Sequence, residues 1–422
     1  MDDDMQKLRP VMAYEKGRTK PPEGFPPLPD LPGQRYVDPQ FYALEQEHLW
    51  KNSWLLAGQL DEIPEKGAFK KWEQIGQPVF LIRAGPDKVN AFYNTCRHRG
   101  APVVMEETGK TNLLVCKYHG WSYTHEGALV AMRDPQDFNT FDAGCRGLKA
   151  IRCELYGSLI FVNFNPDAAP LREALSPFVE EWAQFAFGHL RLVHRYEKSL
   201  KCNWKIGIEA NMEVYHVNSI HPTTVASVLD YATNINTLYP GGSGRMMALS
   251  RPGSIVEAPD APVDDRPRIP TVGEAARSCT QSYNVFPNFV SPMSNTGMPL
   301  MLFWPRGLRE SLLEVYWLGA DWGEGPKPAF WDAYMAGFDA VLEEDTQFGA
   351  DIQRSMESDA LEGIPLSYQE ARIYHAHAAM DDVIGRNRIP AELQVRPVLG
   401  QEWLHPADEA TRQALVEAAR AA

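Results

Sequence analysis

Cys96-Arg97-His98-Arg99-Gly100 and Cys116-Lys117-Tyr118-His119-Gly120-Trp121, with seventeen residues between His98 and Cys116, decide how this chain is read. Each half offers one thiolate and one imidazole, aimed by a short loop at a common point. Four such donors could hold zinc in a tetrahedral site. They could equally hold a two-iron, two-sulfur cluster with one iron on two Cys and the other on two His. Zinc sites usually pair like with like, as C-x2-4-C and later H-x3-5-H. Here Cys and His are mixed within each half, so each loop can give one ligand to each iron. Neutral imidazoles raise the potential of such a cluster over that of an all-thiolate one. The bland reading is two unrelated Cys/His pairs near buried strands, but four soft ligands within 24 residues have little other use.

The chain has 422 residues, a length that suits two domains, and 44% of them are apolar, enough for a sizeable core. The formal charge of −14 argues against nucleic acid or an anionic membrane as the main partner. Besides Cys96 and Cys116, the cysteines Cys145, Cys153, Cys202 and Cys279 show no framework spacing, which suits free thiols in a reducing compartment. MDDDMQKLRP lacks the apolar core of a secretory signal, and no run approaches a membrane span. The expected location is cytoplasmic, with neither nucleic acid nor membrane as partner.

Residues 1–40 read as an extended, proline-rich arm and the start of a first helix, which Asp38 caps and Pro39 opens and which runs to about Lys51. From 41 to 165, short apolar runs broken by Gly, Pro and Asn predict an all-β domain. The two Cys/His loops follow its strands at 89–95 and 112–116. A linker and a helix over Leu171–Phe187 lead into an α+β domain, 166–405. Its expected strands are Val285–Val290, Met301–Trp304 and Leu312–Leu318, and its expected helices Ala329–Met356 and Gln369–Gly385. A tail helix occupies 406–422. Gly241-Gly242-Ser243-Gly244 does not match a dinucleotide fingerprint.

A second informative stretch runs from Cys202 to Pro222. Trp204, Ile208 and Met212 recur every four residues and predict a helix with an apolar face. His216 and His221 are five apart, which is not a chelating pair on an ideal helix. Pro222 favours unwinding at His221, which lets both imidazoles converge. Two His and one carboxylate make the facial triad of iron(II) oxygenases, with open positions for O2 and substrate. The carboxylate has to come from a later helix, where Asp339, Glu343, Glu344, Asp345 and Asp351 are candidates. Glu213 stands one helical turn before His216.

At these residues the chain resembles the Rieske non-haem iron oxygenases, large (alpha) subunit, of the aromatic-ring-hydroxylating dioxygenase type. Their cluster motif is C-x-H-x(about 17)-C-x2-H. Their catalytic domain carries Asn-Trp-Lys…Glu-Asn…(Asp/Glu)-x-Tyr-His-x4-His-Pro. The chain departs from this pattern in having Ala210 between Glu209 and Asn211. The resemblance covers roughly 40–360. It implies an N-terminal all-β Rieske [2Fe-2S] domain followed by an α+β, helix-grip mononuclear-iron domain. It assigns Cys96, His98, Cys116 and His119 to the cluster and His216, His221 and Asp345 to the iron, with Glu344 as second choice. Glu213 and Asn211 would belong to the catalytic machinery, Glu213 as a bridge from His216 to His119 of a neighbouring subunit. Phe289, Asn288 and Phe303 would face the substrate pocket. Arg245 and Arg251 could grip a substrate carboxylate, although a surface role suits them better.

The activity so implied is that of a terminal oxygenase. It would use O2 and electrons from an external NAD(P)H-dependent reductase or ferredoxin to hydroxylate an aromatic or apolar organic substrate, as in aromatic hydrocarbon catabolism. The alternative is a monooxygenase that causes demethylation or C–N cleavage of a quaternary-ammonium or methoxy substrate. Glu at position 213 resembles that second group, whereas Gly120 after His119 matches the ring-hydroxylating wording. A Rieske electron carrier, whose second domain only docks partners, would not need His216, His221 and Asp345. The family resemblance also implies a homotrimer or an α3β3 assembly.

Overall fold

The computed structural model describes residues 2–138, 142–251, 267–358 and 360–421. It divides into two compact units: Trp50–Ser176, and Met1–Leu49 together with Pro177–Ala422. The divisions thus fall at 49/50 and 176/177 rather than at the expected 40/41 and 165/166. Residues up to 49 belong with the second unit, and the short helix Leu171–Ala174 sits on the first, with Leu171 N–H donating to Glu154.

The first unit is all-β. Strands β1 (Leu55–Gln59), β2 (Ala68–Trp72), β3 (Val79–Gly85), β4 (Lys88–Tyr93), β5 (Thr108–Lys110), β9 (Ala150–Tyr156) and β10 (Leu159–Asn163) make a sheet of order β1-β10-β9-β4-β3-β2-β5. The neighbours pair antiparallel, as alternating apolar runs joined by tight turns dictate. A small sheet of β6 (Leu114–Val115), β7 (Ser122–Tyr123) and β8 (Leu129–Ala131) carries the second Cys/His loop. Phe69, Phe80, Ile82, Phe92, Leu114, Trp121 and Tyr123 form the core into which Cys96 and Cys116 are built.

The second unit is built on one antiparallel sheet of seven strands: β11 (Leu190–Leu200), β12 (Ile235–Leu238), β13 (Gly244–Leu249), β14 (Cys279–Val285), β15 (Phe289–Met293), β16 (Gly297–Gly307) and β17 (Glu310–Ala320), in order β11-β17-β16-β15-β14-β13-β12. Its strands alternate in facing. One face carries Met247 and Tyr283. It packs against helix α1 (Asp2–Gly17) through Met5 and Met12, and against α3 (Ser176–Ala183) through Phe178 and Trp182. The opposite face carries Met246 and Ala248, which pack against Val214 and Val217. Further along that face Trp317 meets Trp331 and Phe338 of α6 (Phe330–Thr346). Gly297 and Gly319, which are paired in register, let Trp331 lie flat on the strands, since a Cβ at either would collide with its ring. This is the face expected to be catalytic, since the segment bearing His216 packs on it.

Several expectations are corrected. The N-terminal arm is not extended throughout. Residues 2–17 are helical because Met5, Leu8 and Met12 present one apolar stripe to Ile235, Met247, Cys279 and Val416. Asp38 does cap a helix, α2 (Pro39–Leu44), by accepting from Phe41 N–H. The helix at Trp204 is short: α4 (Trp204–Glu209) ends where Asn211 and Met212 N–H bond three residues back rather than four. The later helical region divides into α6, α7 (Gly349–Met356) and α8 (Ala371–Ile384), and a last helix α9 spans Ala407–Ala421.

Candidate metal centres

The two Cys/His loops differ in sequence spacing yet are built alike. Cys96 N–H bonds Ala101 O and Gly100 N–H bonds Cys96 O; Cys116 N–H bonds Trp121 O and Gly120 N–H bonds Cys116 O. Each loop turns at a glycine four residues after its cysteine, with φ of 79° at Gly100 and 75° at Gly120. A side chain would be strained in that left-handed region. Asn94 staples the first loop, its Oδ1 accepting from Val103 and Val104 N–H and its Nδ2 donating to Val104 O.

The two thiols are buried while the two imidazoles are half-exposed. His98 Nδ1 and His119 Nδ1 lie 3.1 Å apart, and Trp121 stacks on the His98 ring. The donor set fits a two-iron cluster, which Cys96 and Cys116 would hold from the buried side and His98 and His119 from the more exposed side. Sequence reading missed Tyr123. Its hydroxyl accepts from Arg97 N–H at 3.0 Å and lies 3.2 Å from Cys96 Sγ, to which it can donate. Hydrogen bonds to cluster sulfurs tune the potential.

In the second unit, His216 and His221 flank the one-turn helix α5 (Val217–Ile220), and Asp345 comes from the end of α6. Their donor atoms all lie within 4.8 Å of one another. Asp345 Oδ1 is 2.7 Å from His221 Nε2 and 3.4 Å from His216 Nε2. The far nitrogens are also held by carboxylates. His216 Nδ1 bonds Glu213 Oε1, and His221 Nδ1 lies 2.6 Å from Glu344 Oε2, which also accepts from Thr224 Oγ1. Glu213 Oε2 accepts from the N–H groups of Tyr215 and His216, so this carboxylate also shapes the turn.

Both nitrogens of each imidazole therefore face a carboxylate, and a neutral ring can donate to only one. Burial pulls the His216 imidazolium down, but Asp345 and Glu213 outweigh it and hold its pKa up at about 9. For His221 burial likewise opposes, and Asp345 and Glu344 raise the value. A divalent cation in place of the two Nε2 protons satisfies the same geometry, with each Nδ1–H fixed by a carboxylate. The residues thus fit a metal held by His216, His221 and Asp345, the triad that leaves positions open.

Other expected site residues lie elsewhere. Asn211 Nδ2 donates to Gly207 O rather than to the triad. Phe289 points away from the catalytic face: it pairs with Val285 and Leu302 and its ring meets Trp182 of α3. Strand alternation explains this, since its neighbour Val290 takes the inward position. Phe303 faces inward but packs under α4, against Gly207, and Asn288 is tied to the Phe303 backbone. Arg245 is not on the surface; it pairs at 2.5 Å with Glu181, which also accepts from Tyr239 and Tyr283. Arg251 bonds Ala226 O. The role of Glu344 had one sequence signal, its adjacency to Asp345, and Thr224 had none.

The family described as Rieske [2Fe-2S] domain matches residues 53–142, and the family described as ring hydroxylating alpha subunit (catalytic domain) matches 187–386. The oxygenase subunit of glycine betaine monooxygenase from Chromohalobacter salexigens is 32% identical over 202 residues, 48% of this chain and 45% of that protein. The alpha subunit of toluate 1,2-dioxygenase from Pseudomonas putida is 29% identical over 199 residues, 44% of this chain and 43% of that one. The chain spans about half the length of the relatives it matches. Among solved structures, a quaternary ammonium Rieske monooxygenase has a TM-score of 0.71 at 20% identity, covering 87% of this chain and 99% of that one. That likeness is one of fold. The two matched domains bring with them a Rieske [2Fe-2S] cluster and a mononuclear iron. With donors for both metals in place, the chain thus consists of a Rieske [2Fe-2S] domain followed by a catalytic domain of the ring-hydroxylating alpha-subunit family.

Proposed function

We propose that the protein is the terminal oxygenase of a multicomponent system, and that it hydroxylates a carbon bonded to the nitrogen of a quaternary ammonium compound. Electrons come from an external NAD(P)H-dependent reductase, directly or through a ferredoxin. Cys96, His98, Cys116 and His119 hold the cluster that receives them, and His216, His221 and Asp345 hold the iron. When bound, the iron supplies the site where O2 is reduced and one oxygen atom is transferred. One O2, two electrons and two protons convert a C–H to C–OH and water. A carbinol on a quaternary nitrogen then loses its hydroxyl proton and its C–N bond, the pair returning to nitrogen, to give an aldehyde and a tertiary amine.

The chain's own residues hold and aim. Glu213 and Glu344 accept the Nδ1 protons of His216 and His221, which fixes both tautomers and turns both Nε2 lone pairs toward Asp345. That arrangement carries the oxygenase reading, because an electron carrier has no use for it. The substrate class rests on Glu213 in place of Asp and on the glycine betaine relative. A homotrimer or α3β3 assembly, with Glu213 reaching His119 of a neighbouring subunit, belongs to the same proposal.

A second reading, ring dihydroxylation of an aromatic substrate, is favoured by Gly120 after His119 and by the toluate dioxygenase relative. Single turnover of the reduced protein under labelled O2, with quaternary amines and aromatic acids offered together, tests both. One labelled oxygen with an aldehyde and a tertiary amine is the expected result. Two labelled oxygens on one ring would move the assignment to the second reading.

A further inference from the structure

Arg372, on α8, is fully buried. Its Nε donates to Asn284 Oδ1 at 2.9 Å, while both terminal nitrogens, with two N–H groups each, have no hydrogen-bond partner among the described residues. Other buried cations of this unit are paired. Arg35 is held by Asp381 at 2.7 Å, by His377 and by Leu393 O, and Lys205 by Glu45 at 2.6 Å. A buried guanidinium without a counter-ion is costly unless something fills the gap. Burial pulls even this group's pKa down, to about 9.

The sheet register shows where the group lies. Gly244 and Asn284 are directly paired, and they face the same way as Met246 and Ala248, two and four residues along β13. Met246 and Ala248 pack against Val214 and Val217, which bracket His216. Arg372 Cγ passes 3.3 Å from where a Cβ of Gly244 would stand, and that Cβ would also come within 2.9 Å of Asn284 Oδ1. The missing side chain at Gly244 is what admits the arginine to the catalytic face. Glu213 is among the charges it feels.

We propose that Arg372 binds the carboxylate of the substrate through its two free terminal nitrogens. The planar fork matches a carboxylate in a two-point contact, with Asn284 fixing the plane from Nε. Resting on the oxygenase reading above, this narrows the substrate to a molecule with a carboxylate as well as the carbon that is oxidised. With a quaternary nitrogen, that is a betaine.

Calorimetric titration of the full chain, iron-loaded, tests it with two matched pairs: glycine betaine against choline, and benzoate against benzyl alcohol. In at least one pair the carboxylate should bind about 10- to 100-fold more tightly, the range of a buried charge-assisted contact. Arg372→Met should remove that preference and leave choline and benzyl alcohol unchanged, while Arg372→Lys should keep part of it. Without ligand, Arg372→Met should melt no lower than the native protein, because an unpaired buried charge has gone; a purely structural arginine would lower the midpoint. No preference in either pair, or a preference that survives in Arg372→Met, overturns the assignment. Should the Met variant fail to fold, the native protein and Arg372→Lys still decide it. Iron content read on the same samples separates the two ideas. Iron bound through His216 without a carboxylate preference removes only the role of Arg372, whereas a preference without iron removes only the oxygenase reading.

Discussion

In the first unit four donors come from two loops of one 24-residue stretch, whereas in the second the carboxylate stands 124 positions after the nearer histidine. The cluster loops are locally closed, each by its own pair of backbone bonds and its own left-handed glycine. The mononuclear triad has no such autonomy. Its geometry depends on α6 lying across the catalytic face, held by Trp331 and Phe338 on Trp317. Local centres should therefore tolerate changes elsewhere in the fold, and assembled ones should depend on supports that touch no metal.

The largest expected effect separates the two centres outright. Asp345→Ala or His216→Ala should lose the mononuclear iron and bring substrate turnover to background, while the visible and paramagnetic signature of the cluster stays. Loss of both metals in either variant would mean that the centres are not independent.

Next, Glu344→Ala should weaken iron binding about 10- to 100-fold, the usual cost of losing a carboxylate that orients a metal-bound imidazole. Competition with a chelator of known affinity measures it. An unchanged affinity would reduce Glu344 to a surface carboxylate.

A third expectation concerns pH. In the metal-free protein the folded pKa of His216 is raised from 6.5 to about 9. A raised value means that the protonated ring stabilises the fold fully below pH 6.5 and that this contribution is lost as pH rises through about 9. Metal-free protein should therefore melt at progressively lower temperature over that range, and metal-loaded protein should not. Metal uptake at pH 7 should release protons, visible as a dependence of the binding heat on buffer. A flat metal-free profile would show that His216 is not held as described.

The smallest effect probes the cluster loops. Nothing lies within 4 Å of a Cβ added at Gly100 or Gly120, so alanine there meets only backbone strain. Each should cost about 1–2 kcal/mol, read as a lower melting temperature of the first unit, and asparagine should cost less. A larger loss at one glycine than at the other would break the likeness of the two loops.

Much of the fold was legible where patterns are local. Short apolar runs marked the first unit as all-β and placed five of its ten described strands, and Asp38-Pro39 marked a helix start that Phe41 N–H completes. The helix at residues 2–17 was hidden by the prolines that follow it and by Pro10 inside it. The Trp204–Met212 periodicity outran the real helix, because three-residue bonds after Glu209 turn the chain toward His216. Phe289 was misplaced because aromatic residues in a strand report burial but not which face they bury.

The Cys/His pairs could be read without coordinates, because their donors lie within a few residues of one another and spacing limits what they can bind; the His216/His221 pair needed Pro222 and the family resemblance as well. The acidic residues of the later helices could not be told apart that way. Asp339 goes to Tyr196, Glu343 to Lys198, Asp351 to Arg354 and Glu344 to the far side of His221; Asp345 alone among these five faces both imidazoles. All five are similar in chemistry and close in sequence. What distinguishes them is the rotation of the helices over the sheet, set by apolar packing far from any charge. Arg372 is a case of the same kind: one arginine among many until the sheet register placed it on the catalytic face, its terminal nitrogens without a hydrogen-bond partner among the described residues.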